Sequence, residues 1–373
     1  MKKFVENNMP ELLLLIKQLC AIPAPSHFEK ERAEFCRKWF EENGADGVYI
    51  DEALNVILSV GCEDSDEITV FAAHTDTVFP DTEPMPYYED DEKICCPGVG
   101  DDTASVAAVM LTAKYFIENK IVPEKGVMFV CNSCEEGLGN LKGISQLFKD
   151  YSGRIKQFVT VDSTINVIND VCVGSHRYEV EVLTEGGHSF QKFGNANAIN
   201  ELSKIVSEIY KIEVPQIENS RTTYNVGEIS GGTSINTIAQ NARMLCEYRS
   251  DNNECLEIMQ KRFEEIFSAA KSDKVAVRFK KIGDRPCAKN VDPQKLKMLV
   301  DCCKRNIEEI SNKQVRCISA STDYNIPLSL GTPAVCIGSY YGALSHTREE
   351  YIEKKGLDTG LLILIKIAVE LTA

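Results

Sequence analysis

Short apolar runs recur along the chain and end in side chains that can bind a metal ion or transfer a proton. In ITVFAAHTD, residues 68–76, six of the first seven positions are apolar or small, which predicts a strand buried on both faces. The pattern recurs in GVMFVCNSCEE, FVTVD and TPAVCIG, and GVGDD predicts a glycine-rich turn before an apolar helix. Because ligands of open α/β sheets bind beyond the carboxyl ends of the strands, these segments predict one rim of functional side chains. The rim residues are His74, Asp76, Asp101, Glu135, Glu136, Asp162 and His346.

Helical and hairpin patterns fill the intervals between these strands. VYIDEALNVILSV predicts a β-hairpin. Apolar periodicity predicts helices over residues 11–20, 29–43, 103–119, 292–310 and 360–371. The alternation of strands with helices is typical of an α/β domain.

The middle of the chain has a different pattern. RYEVEVLTE alternates as an amphipathic strand should, and TTYNVGEI, ARMLCEYRS and KVAVRFKKI are predicted as further strands. Helices are predicted over residues 195–211 and 253–271. The order β-α-β-β-α-β is that of a ferredoxin-like unit. We therefore predict an α/β domain, residues 1–173 and 287–373, interrupted by an inserted α+β domain, residues 174–286.

Composition narrows the class of protein. The chain has 373 residues, 43% hydrophobic and 26% charged, with a net charge of −15 and no long basic run, so nucleic acid is not an expected partner. From the sequence we expect neither a secretory signal nor a membrane span, and the 15 cysteines are an odd number. We expect a cytoplasmic protein in which many cysteines act as small buried hydrophobic residues.

Two imidazoles and three carboxylates among the rim residues are the candidate metal ligands. Oxygen and nitrogen donors without thiolate suit zinc, and also cobalt or manganese. Five ligands exceed the three that one catalytic zinc takes from protein, but they suit two metal ions about 3.5–4 Å apart with a shared carboxylate. Such a pair generates hydroxide near neutral pH and polarises a carbonyl. The candidate ligands are His74, Asp101, Glu136, Asp162 and His346.

Two further carboxylates have predicted roles beside these ligands. Glu135 neighbours the ligand Glu136, and we expect it to take the proton from the attacking water. Asp76 follows His74 by two residues and is expected to orient its ring through the free nitrogen.

Together, HTDTV, GVGDD, EEGLGN, VTVDST and SHTREEYI resemble the co-catalytic zinc exopeptidase and amidohydrolase family, which includes peptidase T, aminoacylase and the glutamate carboxypeptidases. The resemblance covers nearly the whole chain, and peptidase T-like tripeptidases are the most similar members. It implies a mixed-sheet catalytic domain with an inserted lid and dimerisation domain. It also implies that Asp101 bridges two zinc ions, one held with His74 and Asp162 and the other with Glu136 and His346.

The resemblance extends to finer features. It implies Glu135 as the general base, Asp76 as the residue that orients His74, and a cis peptide between Asp101 and Asp102. The segment after the bridging Asp101 departs from the family pattern, because residues 102–105 read DTAS where relatives often carry a Lys-Gly or Lys-Ala-Gly pattern.

Residues of the inserted domain also match the family. GGHSF resembles the lid motif whose histidine, here His188, reaches the active site of a dimer partner. GGTSINTIA implies that Asn236 lies near the substrate, and CEYRSD implies that Arg249 binds a substrate carboxylate. The resemblance therefore implies a homodimer. Without it, His188 would be a turn residue and Arg249 a surface ion-pair former.

Two further segments complete the candidates. ISASTDYNIP resembles a family turn near the metal rim, with Thr322, Asp323 and Asn325 as candidate substrate contacts. Cys131 and Cys134 form a CxxC without a second metal-binding pair, which favours buried strand-end cysteines.

These patterns leave three functions open. The first is removal of the N-terminal residue from short peptides, as in a tripeptide aminopeptidase. The second is hydrolysis of N-acyl amino acids, which requires a site that tolerates an acyl group in place of the free amine. The third is a non-catalytic metal- or peptide-binding protein, which the retention of Glu135 and of every candidate ligand disfavours.

Overall fold

The computed structural model describes residues 1–63, 65–218 and 220–373. The chain forms two compact units, one of Met1–Cys172 with Lys289–Ala373 and the other of Val173–Ala288. We call these the first and the second unit. Within the described part of the chain, no helix is both long and apolar enough to cross a membrane.

Helices and strands alternate along the first unit and follow the ferredoxin-like order in the second. The helices are α1 (Lys2–Cys20), α2 (Lys30–Glu42), α3 (Ser105–Glu118), α4 (Lys142–Asp150), α5 (Ala198–Ile209), α6 (Asn253–Ala269), α7 (Pro293–Ser311), α8 (Asn325–Ser329) and α9 (Leu357–Thr372). The first strands are β1 (Tyr49–Ile50), β2 (Val56–Val60), β3 (Ile68–His74), β4 (Tyr88–Glu89), β5 (Lys93–Cys95), β6 (Gly126–Asn132), β7 (Ile155–Val161), β8 (Val167–Cys172) and β9 (Gly174–Thr184). The remaining strands are β10 (Gly187–His188), β11 (Thr222–Gly231), β12 (Thr237–Ile238), β13 (Asn241–Ser250), β14 (Val275–Arg285), β15 (Arg316–Ala320), β16 (Ala334–Ile337), β17 (Tyr341–Ala343) and β18 (Tyr351–Glu353).

The large sheet of the first unit is mixed, as predicted. Its strand order is β1-β2-β6-β3-β7-β16-β8-β15. Strand β3 is parallel to both β6 and β7, while β2 and β8 are antiparallel to their neighbours β6 and β16. The predicted hairpin is present as β1 and β2. A smaller antiparallel sheet has the order β17-β18-β5-β4.

Strands β3 and β6 are buried along their whole length, which agrees with their near-continuous apolar sequence. Successive residues of β3 face opposite cores, since Phe71 packs with α1, α3 and α9 while Val70 packs on the α4 side. Phe71 stacks on Phe129 with ring centroids 6.0 Å apart, and Phe116 of α3 packs edge-on against Phe129 at 5.2 Å. This two-sided core fixes the carboxyl ends of β3 and β6 at one edge.

The second unit has an antiparallel sheet of order β11-β13-β9-β14, with α5 and α6 packed on one face. This is the predicted β-α-β-β-α-β arrangement. The short pair β10 and β12 joins Gly187–His188 to Thr237–Ile238.

The structure corrects the start of the first helix. We expected it to begin at residue 11, and a proline is tolerated only in the first turn of most helices. Instead α1 begins at Lys2 and contains Pro10 in its interior. Val5 lies on the buried face together with Leu12 and Leu19, so core packing extends the helix across the proline.

Several elements carry sequence patterns too weak to predict. Helix α4 spans nine residues, and β8 reads VINDVC with two polar residues inside. The edge strand β15 is largely exposed, and the strands of the small sheet are two or three residues long. Cys131 and Cys134 are buried and free, in agreement with the prediction.

Candidate metal centre

Three neighbouring parallel strands deliver candidate ligands to one edge of the sheet. His74 is the last residue of β3, Glu136 lies in the turn after β6, and Asp162 directly follows β7. The parallel register pairs His74 with Asn132 of β6. Asp101 comes from the irregular turn Val99–Ala104 before α3. Core packing of the strands therefore sets where these side chains converge.

Asp101 lies between the two histidines. Its Oδ1 is 3.1 Å from Nε2 of His74, and its Oδ2 is 3.0 Å from Nε2 of His346. His346 Nε2 is also 3.3 Å from Oε1 of Glu136, and His74 Nε2 is 4.0 Å from Oδ1 of Asp162. The five predicted ligands thus lie close together, and Asp101 contacts both histidines. Ligand atoms of Asp101, Glu136 and His346 lie within 4.8 Å of one another, and so do those of His74, Asp102 and Asp162.

The peptide between Asp101 and Asp102 is cis, as the resemblance implied. The predicted ligands do not include Asp102, although one of its carboxylate oxygens lies within 4.8 Å of ligand atoms of His74 and Asp162. Its Oδ2 accepts a hydrogen bond from the backbone N–H of His74 at 3.0 Å. Asp102 therefore fixes the end of β3.

Asp76 connects His74 to the two glutamates. Its Oδ1 accepts from the backbone N–H of Glu135, and its Oδ2 accepts from that of Glu136, both at 2.9 Å. Nδ1 of His74 faces the same residue, 3.1 Å from its backbone oxygen and 3.5 Å from Oδ1. Both side chains are fully buried. The arrangement allows Asp76 to orient the imidazole and the acidic turn together.

Glu350 is a supporting residue that the sequence analysis missed. It is buried, and its carboxylate accepts from the backbone N–H groups of Gly98 at 2.6 Å, Gly100 at 2.9 Å and Asp101 at 2.9 Å. These bonds hold the turn that presents Asp101. The sequence offered one signal, since Glu350 lies in SHTREEYI, a segment that already carried the resemblance.

The electrostatics show an excess of buried negative charge. Burial raises the pKa of Glu136 to about 7, and burial followed by the charge of Asp101 raises the pKa of Asp162. Burial also opposes ionisation of Asp101, but hydrogen bonds from His346 and His74 outweigh it and lower its pKa. Hydrogen bonds with Asp101 and Glu136 raise the pKa of His346 to about 11. A bound cation would relieve this crowding of carboxylates, so the donor set fits metal ions.

The predicted substrate contacts near the rim are buried residues. Thr322 donates its hydroxyl to Oδ2 of Asp162 at 2.6 Å, and Asn325 Oδ1 accepts from the Thr322 N–H at 3.1 Å. Asp323 accepts from the side chain of Asn132 at 2.7 Å, and burial followed by the charge of Glu135 raises its pKa to about 8. Thr322 and Asn325 therefore help to hold the side chain of Asp162. The substrate roles of Asp323 and Asn325 stay predictions.

Three predicted residues lie in the second unit. His188 and Asn236 are exposed, with His188 Nδ1 accepting from the N–H of Phe190 at 3.3 Å. Arg249 forms an ion pair with Glu247, with Nε 2.8 Å from Oε1. This contact is the surface ion pair expected without the resemblance, and the substrate and lid roles of these residues stay predictions.

Comparison with known proteins finds solved structures with a similar fold and a relative with a similar sequence. A tripeptidase from Staphylococcus aureus superposes with a TM-score of 0.78 at 20% identity, covering 98% of this chain and 99% of that protein. Aminopeptidase PepT from Bacillus cereus superposes with a TM-score of 0.75 at 21% identity, with the same coverage. Succinyl-diaminopimelate desuccinylase from Corynebacterium glutamicum is 23% identical over 349 residues, covering 91% of this chain and 90% of that protein.

The family model agrees with the resemblance found in the motifs. The model described as Peptidase family M20/M25/M40 matches residues 70–370, most of the chain and every candidate metal ligand. The chain is therefore a hydrolase that belongs to peptidase family M20/M25/M40.

Proposed function

We propose that the protein is a two-metal aminopeptidase that removes the N-terminal residue from short peptides, tripeptides in particular. The observation that carries the proposal is the position of Asp101, which directs one carboxylate oxygen toward His74 and the other toward His346. A carboxylate shared between two nitrogen ligands suits a pair of metal ions about 3.5–4 Å apart.

The proposed ligand sets are those that the family resemblance implies, and the contacts of Asp101 with both histidines support them. His74, Asp101 and Asp162 would hold one zinc ion, and Asp101, Glu136 and His346 the other, with cobalt or manganese as substitutes. When bound, the two ions would lower the pKa of a water molecule and polarise the scissile carbonyl.

The chain's own residues would then move the proton. Glu135 takes it from the attacking water as the oxygen bonds to the carbonyl carbon. The same carboxylate returns the proton to the leaving nitrogen, so the C–N bond breaks with release of a neutral amine. Asp76 supports this step because it holds the backbone N–H of Glu135 at 2.9 Å.

Residues of the second unit complete the proposal. His188 of the partner subunit in a homodimer would hydrogen-bond the developing oxyanion. Arg249 would bind the substrate carboxylate, and Asn236 would position the substrate. The exposure of His188 is consistent with a role in a partner's site.

The alternative is hydrolysis of N-acyl amino acids. The similarity to a desuccinylase over most of both chains favours this reading, because that name describes removal of an acyl group. The similarity to a tripeptidase and to PepT supports the aminopeptidase. Both reactions use the same metal ligands and the same base, so the difference depends on how the site treats the substrate's amine.

A paired substrate panel tests the proposal. Metal-loaded protein is incubated with free tripeptides and with their N-acetylated counterparts, and the products are identified by mass spectrometry. The aminopeptidase releases the first residue from the free peptides alone. Removal of the acetyl group alone would establish the deacylase instead, and cleavage of neither set by protein that retains two metals would contradict both.

A further inference from the structure

The turn after β6, which carries the proposed base Glu135 and the ligand Glu136, has an unusual backbone. Cys134 adopts a left-handed conformation with φ of +56°, which is unfavourable for a residue with a side chain. Such conformations persist only where surrounding contacts hold them. The contacts that hold Cys134 therefore decide where the next two side chains point.

Glu29 makes those contacts. Its Oε1 accepts from the backbone N–H of Cys134 at 3.0 Å and from the Cys134 thiol at 3.2 Å. The same oxygen accepts from the backbone N–H of His27 at 3.0 Å, which fixes the segment that carries it. The side chain of Glu29 is fully buried.

Two buried carboxylates thereby hold three successive backbone N–H groups. Glu29 accepts from Cys134, and Asp76 accepts from Glu135 and Glu136. Ser26, three residues before Glu29, donates its hydroxyl to Asp76 Oδ2 at 2.7 Å. The backbone N–H groups of Cys134, Glu135 and Glu136 therefore each donate to a buried carboxylate, which fixes the backbone of the turn.

We propose that Glu29 is a positioning residue for the Glu135–Glu136 turn. It holds Cys134 in the left-handed conformation, and this backbone conformation sets the direction of the side chains of Glu135 and Glu136. The inference rests on the proposed roles of Glu135 and Glu136 and adds a residue remote from the reacting atoms. Groups that orient metal ligands typically contribute about 10–100-fold to metal affinity or activity.

The test uses Co²⁺ titration of the metal-free protein, followed by absorption spectroscopy, alongside steady-state kinetics. We expect Glu29→Ala to weaken Co²⁺ binding about 10–100-fold at one of the two sites. In metal-saturated enzyme it should lower kcat while KM changes little. Glu29→Gln should lose less, because its amide oxygen can still accept the N–H of Cys134. The matched control is Glu31→Gln, an exposed glutamate in the first turn of α2, two residues from Glu29.

A second substitution separates positioning from simple loss of structure. Glycine adopts a left-handed conformation without a steric penalty, so Cys134→Gly should restore part of the lost Co²⁺ affinity and kcat in the Glu29→Ala background. Wild-type Co²⁺ binding and kcat in Glu29→Ala would overturn the proposal, and so would a loss that Cys134→Gly leaves unchanged. If the wild-type protein cleaves no substrate of the panel, the proposed function fails, while the Co²⁺ titration still decides the role of Glu29.

Discussion

The metal rim of the first unit and the His188 segment of the second unit are held by different forces. At the rim, the buried carboxylates of Asp76, Asp102 and Glu350 accept hydrogen bonds from backbone N–H groups beside the ligands. In the second unit, His188 and Asn236 are exposed on the two-stranded pair β10 and β12 and its flanking turn.

This difference indicates a division of tasks. A rim built with charge-assisted hydrogen bonds is preorganised before substrate or metal arrives. The His188 segment, held by local hydrogen bonds, presents exposed side chains to other molecules. Changes to the ligands or to the carboxylates that support them should therefore alter metal affinity. Changes to the proposed base or in the second unit should alter turnover or substrate affinity with the metals retained.

Removal of the proposed base should have the largest effect. We expect Glu135→Ala to lower kcat about 10²–10⁴-fold, since the proton transfer loses its acceptor. Metal content, measured by inductively coupled plasma mass spectrometry, should stay at two per chain. Turnover at the wild-type level would exclude Glu135 as the base.

Loss of His188, the proposed hydrogen-bond donor to the oxyanion, should have the second-largest effect on kcat. We expect His188→Ala to lower kcat about 10²–10³-fold without loss of metal. Mixing this variant with Glu135→Ala should restore activity, because hybrid dimers contain one site with both residues. No recovery after demonstrated subunit exchange would contradict the role in a partner's site.

Substitution of Glu350 should have an intermediate effect, and the quantity that changes should be metal affinity. In Glu350→Gln, one oxygen can still accept from Gly100 and Asp101, but the new NH₂ faces the N–H of Gly98. We expect metal binding to weaken about 10–100-fold in calorimetric titrations. Glu349→Gln is the control because Glu349 is the exposed neighbour. If Glu350→Gln and Glu349→Gln bind metal with equal affinity, the buried carboxylate does not preorganise the rim, and the proposed difference from the second unit is wrong.

The smallest effect should fall on substrate binding. We expect Arg249→Ala to raise KM about tenfold for substrates with a free carboxylate, since a hydrogen bond to a charged group is lost. Amidated versions of the same substrates should show no such increase. An equal increase for both sets would assign Arg249 to its ion pair with Glu247 rather than to substrate.

The rim was largely predictable because His74, Glu136 and Asp162 each end or follow a strongly apolar strand. The run before His74 and the run before Glu135 determine where the strands end, and parallel neighbours meet at one edge. Glu350 and Glu29 were not predictable in this way. Their roles depend on which backbone N–H groups they meet over 249 and 105 residues of sequence separation, which no local pattern records.

The fold was likewise predictable where local sequence patterns were strong and not where distant contacts decide the structure. The ferredoxin-like order of the second unit followed from alternating strands and amphipathic helices. Helix α1 extends to Lys2 across Pro10 because tertiary packing of Val5 outweighs the local preference. Strands β8 and β15 form through pairing with neighbours, and their own residues give little sign of it.

The central claim is that Asp101 is shared by two metal ions. Anomalous diffraction from crystals of the zinc-loaded protein measures this directly. We expect two peaks about 3.5–4 Å apart, one beside His74 and Asp162 and the other beside Glu136 and His346, with a carboxylate oxygen of Asp101 on each. A single fully occupied site, or two sites that do not share Asp101, would contradict the account.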